Sequence, residues 1–127
     1  MPFRRILLID DDTEDHEIFK SALSQVSESL ECTTFSNALE ALKMLTSKEL
    51  NPDVIFLDLN MPIMSGQDFL REAKMRSEIQ HIPIIIFSTS SNAATIKATK
   101  GMGAIDFITK PDRFDKLVDI LKPIITE

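Results

Sequence analysis

The chain has 127 residues, 43% of them apolar and 27% charged, and a net charge of -6. That length fits a single domain with a buried core, with no room for a second, and the acidic balance argues against nucleic acid or anionic membrane as a direct partner, since either needs a basic face. One cysteine, Cys32, cannot form an internal disulfide, so a reducing cytoplasm is the expected location.

The opening Met-Pro-Phe-Arg-Arg sets basic residues before apolar ones, as a signal peptide does, but the run Ile6 to Ile9 stops after four residues at an acidic cluster. It is too short for a secretory core or a membrane span. Residues 5–9 are therefore predicted to be a strand, ending in Asp10, Asp11 and Asp12. Residues 13–26 carry a helical stripe of Ile18, Phe19, Ala22, Leu23 and Val26, with Glu14, Asp15 and Glu17 crowding the first turn. Acids there suit the positive end of the helix dipole, and Asp12 or Thr13 can cap it. Residues 30–36 alternate weakly and are partly polar, as in an edge strand; residues 37–47 follow as a helix capped by Asn37, with Ala38, Ala41, Leu42 and Leu45 inward.

Residues 54–57 are apolar, contain Val, Ile and Phe, and end on Asp58 before a turn-forming Asn-Met-Pro. Such a short run between turn residues predicts a buried strand with Asp58 at its carboxyl end. A helix is expected over 66–77 with Phe69, Leu70 and Ala73 inward. Residues 83–88 form the most apolar segment, fitting a central parallel strand covered on both faces. Residues 90–102 predict a helix with a modest stripe of Ala93, Ala94 and Ile96. Residues 104–109 predict the last strand, and 114–125 a helix with Phe114, Leu117, Val118, Leu121 and Ile124 on one side.

Five strands alternating with five helices imply an α/β fold with a parallel sheet and helices on both faces. The flavodoxin-like order 2-1-3-4-5 fits best, because it puts the two most polar strands at the edges. All carboxyl ends then lie on one side of the sheet. That geometry gathers Asp10 and Asp11, Asp58, Ser88 and Thr89, and Lys110. Carboxylates so placed repel one another unless a cation sits among them, and oxygen-only ligands suit Mg²⁺. Taken alone, Asp10 to Asp12 also read as a solvated capping loop; convergence with Asp58 and Lys110 favours the metal. A carboxylate beside a metal and a lysine can attack a phosphoryl group and hold it as an acyl phosphate, with a nearby hydroxyl binding its oxygens.

Four segments in order carry a resemblance over the whole chain: Ile-Leu-Leu-Ile-Asp-Asp-Asp at 6–12, Leu-Asp-Leu-Asn-Met-Pro at 57–62, Ile-Pro-Ile-Ile-Ile-Phe-Ser at 82–88 and Thr-Lys-Pro at 109–111. The chain resembles the receiver domain of bacterial two-component response regulators, specifically a stand-alone one with no output domain. The resemblance implies that Asp58 accepts a phosphoryl group from a phosphohistidine on a sensor kinase or histidine phosphotransfer protein. It makes Asp11 a direct Mg²⁺ ligand, Asp10 a ligand through water and Asn60 a ligand through its backbone carbonyl. Lys110 becomes the electrostatic clamp, with a cis bond to Pro111, which proline permits. Ser88, rather than the oppositely facing Thr89, falls on the switch hydroxyl. Phe107 falls on the aromatic switch position, without the hydroxyl of the tyrosine often found there, and Asn60 and Ser90 on two positions that tune hydrolysis.

The protein is then expected to be a monomer or weak dimer that switches a surface for an unknown target protein, or a carrier or sink in a multistep phosphorelay. Lys97 and Lys100 read equally as an output surface or a solvated helix face. A hydrolase of the haloacid dehalogenase kind needs Asp-x-Asp-x-Thr or Val, and here the fifth position from Asp10 is Glu14. A degenerate receiver acting only by contact is disfavoured by the intact acids, serine and lysine. His16 and His81 read as surface residues, Cys32 as a packing residue, and Met61 and Met64 as gap-fillers under a loop.

Overall fold

The computed structural model describes residues 3–125; Met1 and Pro2, where the basic-then-apolar start begins, lie outside the described residues. Five strands, β1 (Arg5–Ile9), β2 (Glu31–Phe35), β3 (Val54–Leu57), β4 (Ile84–Ser88) and β5 (Asp106–Thr109), alternate with α1 (Thr13–Val26), α2 (Ala38–Thr46), α3 (Gly66–Met75), α4 (Ala93–Gly101) and α5 (Phe114–Ile125). The strands form one parallel sheet in the order β2-β1-β3-β4-β5. This is the flavodoxin-like order expected from the apolarity of the strands.

Side chains alternate across the sheet and divide the core in two. Leu7, Ile9, Ile55, Leu57, Ile84 and Ile86 meet α2 and α3 on one face. Ile6, Leu8, Val54, Phe56, Ile85 and Phe87 meet α1 and α5 on the other. There Phe19 packs its ring 5.0 Å from Phe56 and 5.4 Å from Phe87. Truncating a phenylalanine buried this fully costs about 3–5 kcal/mol, so this layer is a firm floor under β3 and β4. Asp12 caps α1 by accepting from Glu14 N and Asp15 N, and Asn37, Ser65 and Asn92 cap α2, α3 and α4.

Several expected faces differ. Ile18 is 47% exposed and Phe114 44%, whereas His16, expected on the surface, is buried. On α4, Ala93 and Ala94 are exposed, and Thr99 is the residue buried, its hydroxyl satisfied by donating to Thr95 O and Ile96 O. No peptide bond among the described residues is cis, so the Lys110–Pro111 bond is trans and not cis as expected. Proline lowers the preference for trans without abolishing it, and trans still leads by about 0.5–1 kcal/mol.

Gly66 opens α3 against the back of β3. A Cβ there would lie 2.1 Å from the Asp58 carbonyl oxygen and 2.7 Å from Leu59 Cα, both backbone atoms with no freedom to yield. The helix reaches the sheet edge only because residue 66 has no side chain. Gly66→Ala is expected to lower stability by about 2–4 kcal/mol, read by urea unfolding, while Gly101→Ala, where a Cβ meets nothing within 4 Å, leaves it unchanged or slightly raised.

Candidate functional site

Three backbone hydrogen bonds level the strand ends. Asp10 N donates to Phe35 O at 3.0 Å, Asp58 N to Ile9 O at 2.9 Å and Lys110 N to Ser88 O at 2.9 Å. Each acid or lysine thus follows the last residue of its strand at the same sheet edge. Asp10 and Ser88 are fully buried and Asp58 nearly so, while Asp11 is exposed.

The carboxylates of Asp10, Asp11 and Asp58 each present an oxygen within 4.8 Å of the other two. Burial raises the pKa of Asp10, against the opposing effects of Lys110 and the Asp12 amide. Burial also raises that of Asp58; Lys110 opposes it, the Asp10 charge adds to it, and the Ser88 hydroxyl partly offsets it. Lys110 Nζ donates to Asp10 Oδ2 at 2.6 Å and to Asp15 Oδ2 at 2.7 Å, and stands 3.9 Å from Asp58 Oδ1. Burial disfavours its charge, but the bonds to Asp10 and Asp15 outweigh that and hold its pKa above the usual lysine value. It also lies 5.6 Å from the centre of the Phe87 ring, a cation–π distance.

Around this centre, Ser88 faces inward and Thr89 is exposed, as strand alternation requires. The Ser90 amide donates to Ser88 Oγ at 3.3 Å. Asn60 is exposed, and its Nδ2 donates to Ser90 Oγ at 2.9 Å, joining two positions singled out separately in the sequence. Phe107 is half-buried beside Ile86 and packs on the α2–α3 side of the core. Pro111 follows Lys110 at the site's rim. Cys32 is half-buried against the core, and burial pushes its thiol up to about 11, so it is a packing residue.

Comparison with known proteins decides the family. A model of the response regulator receiver domain matches residues 6–122. The chain belongs to the response regulator receiver family. Over 121 residues, 95% of its length, this receiver domain is 32% identical to the DNA-binding transcriptional regulator NtrC of Escherichia coli (strain K12), but it spans only 24% of that protein. Among solved structures it is similar to the phosphorylated cyanobacterial phytochrome response regulator RcpA, with a TM-score of 0.86 and 29% identity over 95% of this chain and 90% of that one. It is also similar to the Mn²⁺-bound form of response regulator Rcp1, with a TM-score of 0.84 and 25% identity over 95% and 91% of the two chains.

Two residues of this receiver site are not marked in the sequence. His16 is buried on α1 and its Nε2 donates to the Asp10 carbonyl at 2.5 Å, tying the first helix to the acid-bearing turn. Asp15 reads as one of several helix-start acids, yet it bonds the site lysine. The signal available was the spacing: α1 follows β1 after only three residues, so one side of its first turn has to face the sheet edge.

Because its folded-state pKa is raised, ionised Asp58 costs stability at neutral pH. The cost disappears as pH falls through that raised value toward the ordinary carboxylate range, where the group is neutral whether the chain is folded or not. Asp58→Asn is therefore expected to be more stable than the wild type at pH 7. Urea titrations at a series of pH values should show this difference closing as acidity increases.

Proposed function

We propose that this receiver domain accepts a phosphoryl group on Asp58 from a phosphohistidine of a sensor kinase or histidine phosphotransfer protein. The observation that carries the proposal is the meeting of three carboxylates within 4.8 Å with a half-buried lysine 3.9 Å from Asp58. Oxygen donors suit a hard cation, and like charges this close need one, so the residues fit Mg²⁺. Asp10, Asp11 and Asp58 would hold it, with the Asn60 backbone carbonyl as a further ligand; bound there, it neutralises charge on the transferring oxygens.

The chain's own residues do the rest. An Asp58 carboxylate oxygen forms the bond to phosphorus while the P–N bond to the donor imidazole breaks, and the imidazole leaves with the electron pair and takes up a proton. Lys110 supplies positive charge to the equatorial oxygens, and Ser88 Oγ hydrogen-bonds one of them after transfer. Drawing Ser88 toward the phosphoryl group leaves space that Phe107 can fill, biasing the surface around β5 between two arrangements. Phe107 lacks a hydroxyl, so this output works through bulk alone. That RcpA is described as phosphorylated and Rcp1 as Mn²⁺-bound supports the same chemistry here.

This receiver domain is read as a cytoplasmic signalling module with no catalytic turnover of another substrate, acting on a target protein as a monomer or weak dimer. Acetyl phosphate with Mg²⁺ is expected to add one phosphoryl group to the wild type and none to Asp58→Asn, read by intact mass. Unmodified wild type under several donors would overturn the proposal. Calorimetry or NMR has to follow the binding steps, because the chain has no Trp or Tyr.

A further inference from the structure

Lys110 has two jobs that conflict. It must reach the phosphoryl oxygens during transfer, yet an ammonium bonded to Asp58 beforehand would cover the attacking oxygen and repel the cation. Within the site, Lys110 Nζ is 2.7 Å from Asp15 Oδ2 and 2.6 Å from Asp10 Oδ2, but 3.9 Å from Asp58 Oδ1. The lysine is thus held to one side of the phosphoacceptor.

Asp15 is the partner that has no other assignment. It is not among the three acids that converge as a metal cluster. Its place is fixed by the α1 cap, because Asp15 N donates to the side chain of Asp12, the residue that starts the helix. Its side chain is 29% exposed and that of Lys110 only 12%, so the pair is shielded enough for its charges to matter. A mainly apolar recess of about 70 Å³, lined by Asp15, Ile18, Phe87, Lys110, Pro111 and Leu117, adjoins the pair.

We propose that Asp15 is a positioning residue: a counter-ion that draws Lys110 off Asp58, leaving the carboxylate free for the cation and for attack until a phosphoryl group arrives to claim the lysine. This rests on the phosphoacceptor reading of Asp58. In Asp15→Asn the ammonium loses one of its two close carboxylates and settles toward Asp58. Cation affinity falls, because positive charge now occupies the side of the site where the cation binds.

The test is calorimetric titration with Mg²⁺ of the full chain in four forms at neutral pH: wild type, Asp15→Asn, Lys110→Met and the double variant. Asp15→Asn is expected to weaken Mg²⁺ binding about three- to ten-fold. With Lys110→Met, which keeps the length of the side chain without its charge, adding Asp15→Asn should change affinity by less than about two-fold. An equal loss in both backgrounds would overturn the proposal, since a general charge effect or damage to α1 would not depend on the lysine. Equal affinity of wild type and Asp15→Asn would overturn it as well. If the wild type binds no Mg²⁺, the phosphoacceptor reading itself falls, and this inference with it.

Discussion

Negative charge that the protein does not neutralise by itself is the constraint on which the rest of the site depends. Asp10 and Asp58 are buried at the carboxyl edge of the sheet with Asp11 beside them, and one lysine serves them and Asp15 together. In bulk water such charges would barely notice each other; at this degree of burial their repulsion and their lost hydration both count. A protein selected for stability alone would place a neutral side chain at position 58. Keeping the carboxylate there sacrifices stability for the phosphoacceptor role proposed above, the usual trade at a functional site.

The fold makes that arrangement tolerable by fixing every member from behind. Strand register places Asp10, Asp58 and Lys110 level with one another, and the amide of Lys110 is tied to the strand end that carries Ser88. Below them, Phe19, Phe56 and Phe87 form a packed aromatic layer, with the lysine ammonium set over the outermost ring. To the sides, His16 holds the Asp10 carbonyl and the bare Cα of Gly66 lets α3 approach the Asp58 carbonyl. Few of these contacts are chemical participants. They leave the charged groups little freedom to relax apart, which is how a repulsive cluster stays assembled.

The sequence carried the architecture because its signals were strong and local. The four-residue apolar run ending in Asp58 and the five consecutive buried positions of β4 admit few readings other than covered parallel strands. Polarity at β2 and β5 then set the strand order. The convergence of Asp10, Asp11, Asp58 and Lys110 followed from topology, since parallel strands put all their carboxyl ends together. What escaped was side-chain direction on the helices. Ile18 and His16 lie two positions apart on α1, and the isoleucine is the exposed one, because the histidine satisfies its ring nitrogen on the Asp10 carbonyl and so can be buried. Thr99 is buried on α4 for the same reason, its hydroxyl bonded within its own helix. Asp15 could be placed in the first turn of α1 but not assigned to Lys110, because an ion pair spanning 95 residues leaves no local pattern. The isomer at Pro111 was equally beyond a local reading, since proline permits both.

If a divalent cation completes the carboxylate cluster, it must stabilise the folded chain, which alone assembles the cluster, and must do so through those carboxylates. The most direct measurement is thermal unfolding of the wild type and of Asp11→Asn, with Mg²⁺ and with NaCl of equal ionic strength. At Mg²⁺ near a hundred times its dissociation constant, the wild type should gain about 2.7 kcal/mol and unfold roughly 10 °C higher, while Asp11→Asn stays close to its NaCl value. A wild-type Tm that is the same in Mg²⁺ and NaCl would contradict the cation site, and with it the phosphoryl chemistry assigned to Asp58.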